Sequence, residues 1–256
     1  MKERIRQFAL ELGVDDVGFA AAADAATPRT PAVDSLLPGA RTVVVLAYKE
    51  LASCESPSPE LAMNGRLDVM EFSRSCDYRV ARFVEREARA RALTVGASYP
   101  MRMSEDTKGS VGELSLRHAA VAAGLGGFGL HNLVLHPRMG SRVIFSAVLT
   151  DLEVPPDEPL PESPCTQCGA CVENCPGRAL DEPGRTAVMK CLRNSQPYGL
   201  GASIRFWNRL LAAPPEERGT LLRDPEYWRL YQAAFIGFQY FCFRCIATCP
   251  VGWRRA

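Results

Sequence analysis

The sequence predicts a mixed α/β (α+β) domain over residues 1–155 followed by a cysteine-rich domain over residues 156–256. Three observations carry this. Helix-spaced and strand-like apolar stretches alternate as far as Thr150. A segment with five prolines and five acidic residues, Asp151 to Pro164, then reads as a linker. Beyond it lie eight of the ten cysteines.

In chain order, Ile5, Phe8, Ala9 and Leu12 recur at helical spacing, and Gly13 falls where a helix C-cap belongs. Residues 14–20 read as a short strand, and the Ala- and Pro-rich stretch to Pro31 as loop. Thr42 to Tyr48 is a continuous apolar run, the pattern of a strand buried on both faces. Residues 51–65, with Pro57, Pro59 and Gly65, read as loop before a helix from about Phe72 to Leu93. Thr94 to Tyr99 reads as a strand and Met101 to Ser110 as polar loop. A helix from about Glu113 to Ala123 leads into the glycine-rich Gly124-Leu-Gly-Gly-Phe-Gly129, and Arg142 to Thr150 closes the domain as another buried strand. In the second half, helices are expected at Ser203–Ala213 and Pro225–Phe241. Trp228, Tyr231, Phe235, Phe238 and Phe241 of the latter are expected to pack as core.

The cysteines carry the chemistry. Cys165, Cys168, Cys171 and Cys175 form a C-x2-C-x2-C-x3-C-P run, the ligand spacing of bacterial ferredoxins. Cys242, Cys245 and Cys249-Pro250 repeat that run without its leading cysteine, and Cys191 supplies the missing thiol. Eight thiols suffice for two [4Fe-4S] clusters. In the ferredoxin pattern the last cysteine of each run serves the other cluster. The expected sets are therefore Cys165, Cys168, Cys171 and Cys249 for one, and Cys175, Cys191, Cys242 and Cys245 for the other. Two four-thiolate zinc sites are the competing reading, but zinc modules pair two C-x2-C knuckles. Disulfides would need an oxidising compartment. Cys54 and Cys76 are expected as buried apolar residues.

The net charge of +1 offers no case for a polyanionic partner, so no nucleic acid is expected. No signal core and no run of about 18 apolar residues is visible, which predicts a cytoplasmic protein without a membrane partner. Two adjacent clusters suit single-electron delivery from a ferredoxin or flavodoxin-type donor. The glycines at Gly126, Gly127 and Gly129 would let backbone approach a large ligand closely, with Phe128, His131 and Asn132 beside it; the competing reading is a plain turn after the helix. Of the three histidines, His118 and His136 read as structural, and His131 is best placed to reach such a ligand. Tyr78, Asp106, Glu113 and His131 are the candidate proton donors.

Several stretches together resemble the epoxyqueuosine reductases and the iron–sulfur halves of reductive dehalogenases. They are Leu36-Leu-Pro-Gly-Ala-Arg-Thr-Val-Val-Val-Leu, Ser73-Arg-Ser-Cys-Asp-Tyr-Arg, the glycine motif followed by Leu135-His-Pro, and the cysteine order with its lone Cys191. The resemblance implies a nitroreductase-like, corrinoid-binding domain followed by a bacterial ferredoxin-like double-cluster domain. It also implies a base-off cobalamin fed by the clusters and reducing a substrate. The sequence departs from the family's pattern at Gly127 (usually Trp) and Leu130 (usually Lys). The position of its catalytic aspartate falls on Ser110 or, with a short insertion, on Asp106. The Cys191–Cys242 interval is longer, and the chain ends seven residues after Cys249, before the region that helps grip tRNA. These departures lead to the expectation of a small-molecule substrate. The alternative expectations are an activating protein that reduces the corrinoid of a partner enzyme, or a family member without cobalamin.

Overall fold

The computed structural model describes residues 1–97, 104–105, 111–182, 184–236 and 242–252. Helix α1 (Lys2–Glu11) stops before Gly13, which turns back at φ +95°, a conformation glycine adopts without a Cβ clash. Strand β1 (Asp16–Ala21), the short helix α2 (Val33–Leu36) and strand β2 (Thr42–Lys49) follow. With β3 (Ala92–Val95) and β6 (Val143–Thr150) they form a four-stranded sheet ordered β1-β2-β6-β3, antiparallel at every pairing. A two-stranded ribbon, β4 (Gly127–Phe128) with β5 (Val134–Leu135), lies apart from it.

The unbroken apolar run of β2 is explained by cover on both faces. Val44, Leu46 and Tyr48 pack with Ile5 of α1 and with Val80 and Val84 of α3 (Pro59–Ala88). Val43, Val45 and Ala47 pack against Ala119 and Ala120 of α4 (Leu116–Ala122). This is the expected mixed architecture, built on an antiparallel sheet.

Helix α3 starts well before the expected Phe72. Pro59 and Gly65 suggest a loop, yet proline is suited to the first helical turn, where its missing N–H has no partner to lose. The Ser58 hydroxyl caps that turn by accepting the Leu61 N–H at 3.4 Å. Gly65 lets the helix touch the 3₁₀ turn Ala52–Glu55, since a Cβ there would collide with Ser53. The helix ends at Ala88, short of Leu93, where Arg89 turns left-handed at φ +53°.

The proline-rich stretch is pinned rather than loose. Asp157 accepts the Phe19 N–H at 3.0 Å and pairs with Lys2 at 2.6 Å and Arg6 at 2.9 Å, while Val154 is buried. The second half carries α5 (Ala170–Glu173), α6 (Val188–Ser195), α7 (Leu200–Ala212), α8 (Pro215–Leu221), α9 (Pro225–Ile236) and α10 (Arg244–Ala247). Helices α7 and α9 pair through Ala202, Phe206 and Leu230. The core role expected for the α9 aromatics does not hold for the described ones: Trp228, Tyr231 and Phe235 are 55, 53 and 81% exposed. Leu230 and Ala233 take the inward face, and these three rings stand on a different one. Phe238 and Phe241 lie outside the described residues. Among the described residues, no helix is long and apolar enough to cross a membrane.

The last cysteine run is fastened to the sheet domain by the turn that precedes β6. Ser141 donates to the Ile246 carbonyl at 3.2 Å. Arg142 donates to the carbonyls of Ala247 and Cys249, each at 3.1 Å, and its guanidinium is paired with Glu55. Gly140 admits the Val251 carbonyl where any Cβ would collide. Arg66, paired with Glu50, stacks 5.1 Å from the Phe243 ring centroid. Replacing Arg142 by alanine strands Glu55 and two carbonyls together. The expected cost is about 3 kcal/mol, read as a lower urea midpoint, with increased protease cutting near Cys249.

Candidate functional site

The two expected cysteine sets line separate cavities. Cys165, Cys168, Cys171 and Cys249 line a cleft with about 20 Å³ of free space, together with Leu130, His131 and Leu135. Cys175, Cys191, Cys242 and Cys245 line a cavity of about 690 Å³ between α6 and the sheet domain's Arg117, His131, Asn132 and Leu133. Short α5 and α10 lie against each other, so each run of the chain reaches both cavities.

The electrostatics of both sets favour a cationic guest. Burial pushes the Cys171 thiol up, and so do the neighbouring Cys249, Cys165 and Cys168. Cys191 is likewise raised, first by burial and then by Cys242 and Cys175. Cys245 is pushed up to about 12, by burial and then by Cys191, Cys242, Cys175 and Cys171. Thiols that repel one another's ionisation become thiolates when a metal centre sits among them. Among the described residues, no group of three or more His, Cys, Asp or Glu side chains is arranged to hold a single metal ion.

His131 is 4% exposed and lines both cavities. Its Nδ1 accepts the Leu133 N–H at 3.1 Å, its Nε2 has no partner, and burial holds the ring neutral by lowering its pKa to about 4. The glycine motif owes its composition to the chain's own packing. A Cβ on Gly126 would strike the Leu135 carbonyl, one on Gly127 would lie 2.7 Å from Ser163 Cα, and one on Gly129 would lie 2.8 Å from the His131 ring. Phe128 and Gly129 also border an open cleft of about 480 Å³ with Leu130, Cys165 and Gln167. Asn132 holds a left-handed φ of +58°.

Of the described candidate proton donors, His131 lines both cavities and the other two line neither. Tyr78 is 64% exposed on α3, Glu113 is exposed ahead of α4, and neither lines either cysteine cavity. Asp106 lies outside the described residues. His118 bonds Ser115 at 2.7 Å. His136 bonds Asp16 at 3.0 Å; burial raises that carboxyl, but His136 and Arg138 together hold it far below the usual range. Cys54 and Cys76 are buried and raised by burial.

Sequence reasoning noted Asp77 only within the family-like stretch of residues 73–79 and gave it no role. Asp77 is 2% exposed, accepts from Tyr48 at 3.0 Å and from Ser146, and has an unpartnered Oδ2. Burial raises its carboxyl to about 7 against the opposing Ser146 and Tyr48 hydrogen bonds. The signal was helical phase: Ser73, Asp77, Val80 and Val84 share one face of α3.

No family model matches the chain. An epoxyqueuosine reductase from Bacillus anthracis is 36% identical over 81 residues, which is 32% of this chain and 21% of that protein. One from Synechococcus sp. is 29% identical over 214 residues, 80% of this chain and 63% of that protein. Among solved structures, an epoxyqueuosine reductase with a modified tRNA stem loop superposes with a TM-score of 0.62 at 21% identity, over 98% of this chain and 65% of that one. A reductive dehalogenase described as B12-dependent gives 0.61 at 18% identity, over 91% of this chain and 35% of that one. The chain thus matches only part of the length of these relatives. The tRNA-bound relative overturns the expectation of no nucleic-acid partner: nucleic-acid binding is open to proteins of this kind. A near-zero net charge is a sum over the surface, whereas binding follows local potential; Arg29, Arg117, Arg178, Arg185, Lys190 and Arg244 gather at the large cavity. By sequence the chain is a distant, partial homologue of the epoxyqueuosine reductases, and by fold it stands with them and with the reductive dehalogenases.

Proposed function

We propose that the chain is an iron–sulfur oxidoreductase of the epoxyqueuosine reductase-like type, with a cofactor-binding domain over residues 1–155 and a double-cluster domain over 156–256. Cys165, Cys168, Cys171 and Cys249 hold one [4Fe-4S] cluster, and Cys175, Cys191, Cys242 and Cys245 hold the other. The observation that carries this reading is the crossed sorting of eight thiols into two cavities, each drawing on both cysteine runs. Thiols with raised pKa values, Cys171 buried and Cys191 and Cys245 half-buried, suit a polynuclear iron centre, whose positive core stabilises four thiolates at once.

Bound clusters would supply low-potential single electrons, and a bound cobalamin would supply a metal able to pass them on. The chain's own residues do the rest. Leu130 and Leu135 set apolar surface beside the first set of thiols and Ile246 beside the second, while Cys168 stays exposed. Arg117 and Asn132, in the lining of the large cavity, and Gly129, in that of the open cleft, are the residues that would hold a corrinoid. Anaerobic titration with cob(II)alamin should give the EPR spectrum of the base-off form, and an unchanged spectrum at micromolar cobalamin would discard the corrinoid.

One observation favours a second reading, an activating protein that reduces the corrinoid of another enzyme. Neither Tyr78 nor Glu113 lines the large cavity, and His131, which does, is held neutral by burial and is a weak acid in that form. Substrate turnover by the isolated protein with dithionite would rule it out.

A further inference from the structure

We propose that His131 is a hydrogen-bond donor to cluster sulfur at the junction of the two cysteine sets and raises the reduction potential of the cluster it reaches. The inference rests on the reading of those sets as [4Fe-4S] sites. Three features of the geometry carry it.

First, His131 borders the cavity of Cys165, Cys168, Cys171 and Cys249 and also that of Cys175, Cys191, Cys242 and Cys245. Of the chain's three histidines it is the one that lines either. His118 and His136 are engaged elsewhere, with Ser115 and Asp16. Second, the Leu133 N–H points at Nδ1, so Nδ1 accepts and the neutral ring carries its proton on Nε2. A protonated Nε2 donates; it does not ligate iron, and four cysteines per set already complete a cluster. Third, Nε2 is buried without an acceptor. Buried polar atoms are almost always paired, and an orphan among thiols is accounted for by the sulfur that would sit there.

The local sequence builds this position. Gly129 leaves room for the ring, which a Cβ would crowd. The left-handed Asn132 turns the chain so that the Leu133 N–H returns to Nδ1. Leu133 in turn packs against the cluster that holds Phe243 and Ile246, as Cys245 also does, which ties the ring's orientation to the last cysteine run. An N–H directed at cluster sulfur stabilises the more negative, reduced state, so its removal shifts the potential downward.

The test uses the full chain, reconstituted anaerobically with iron and sulfide and labelled with histidine carrying ¹⁵N in its ring. Pulsed EPR of the reduced protein should show a weak ¹⁵N coupling to a cluster, lost in His131→Gln. A redox titration of His131→Phe should place one couple at a more negative potential than in the parent, with about eight irons still bound. About eight irons with no ring-nitrogen coupling in the parent overturns the inference even if the variants do not fold, and so do unchanged potentials in His131→Phe. Parent protein without cluster iron overturns the cluster reading itself, and the inference with it.

Discussion

Replacing Cys191 by serine should lower the iron bound by the reconstituted protein from about eight atoms per chain to about four, because one cluster needs four thiolates and the other is untouched. Cys191 sits on α6, away from both cysteine runs in sequence, yet it shares its cavity with Cys175, Cys242 and Cys245. A serine hydroxyl ionises far less readily than a thiol and binds iron poorly. Its neighbours cannot replace it, since Cys165, Cys168, Cys171 and Cys249 line the other cavity. The control is Cys76→Ala. That thiol is packed among Val69, Val80 and other apolar residues beneath the sheet and should leave the iron count unchanged. Iron and acid-labile sulfide assays on both variants decide the matter; a count near eight in Cys191→Ser refutes the ligand assignment.

The second large effect concerns stability. Asp77 is buried against Tyr48 and Ser146, and its carboxyl titrates at about 7 rather than 3.8. The folded state therefore holds this proton more tightly than the unfolded state. Stability from this group is undiminished below about pH 4 and falls as pH rises through about 7. A rise of roughly three units corresponds to about 4 kcal/mol in all, of which about 3 kcal/mol is lost between pH 5 and pH 8. Asp77→Asn keeps an oxygen for the Tyr48 and Ser146 hydroxyls and removes the charge. Relative to the parent, the variant should gain about 3 kcal/mol between pH 5 and pH 8, measured by urea unfolding at each pH. Equal pH slopes for the two proteins would show that Asp77 is not the titrating group. Taking the difference between variant and parent removes the acid lability common to both.

Much of the sheet domain was legible in the sequence, for a local reason. A strand buried on both faces must be apolar throughout, so β2 and β6 announced themselves. The aspartate beside Tyr78 was harder to read. Adjacent helical residues point about 100° apart, so a one-residue step takes the side chain from the sheet, at Asp77, to solvent, at Tyr78. The α9 aromatics misled because aromatic content signals burial only when a partner surface exists, and α7 covers a single stripe. Pro59 misled because the same residue that breaks a helix interior is favoured at its first turn.

What the sequence by itself determined is the inventory: eight cysteines in two runs and a singleton, a glycine motif before a histidine, and two strands without a polar face. Tertiary structure alone decided which side chains meet across long separations. It set His131 against both cysteine cavities, turned Asp77 onto Tyr48 and Ser146, and tied Arg142 to the carbonyls of Ala247 and Cys249. Spacing along a chain constrains neighbours within a turn or a strand pair. Contacts across a hundred residues exist only once the sheet and its helices have packed, because burial and loop closure then fix where each polar group can find a partner.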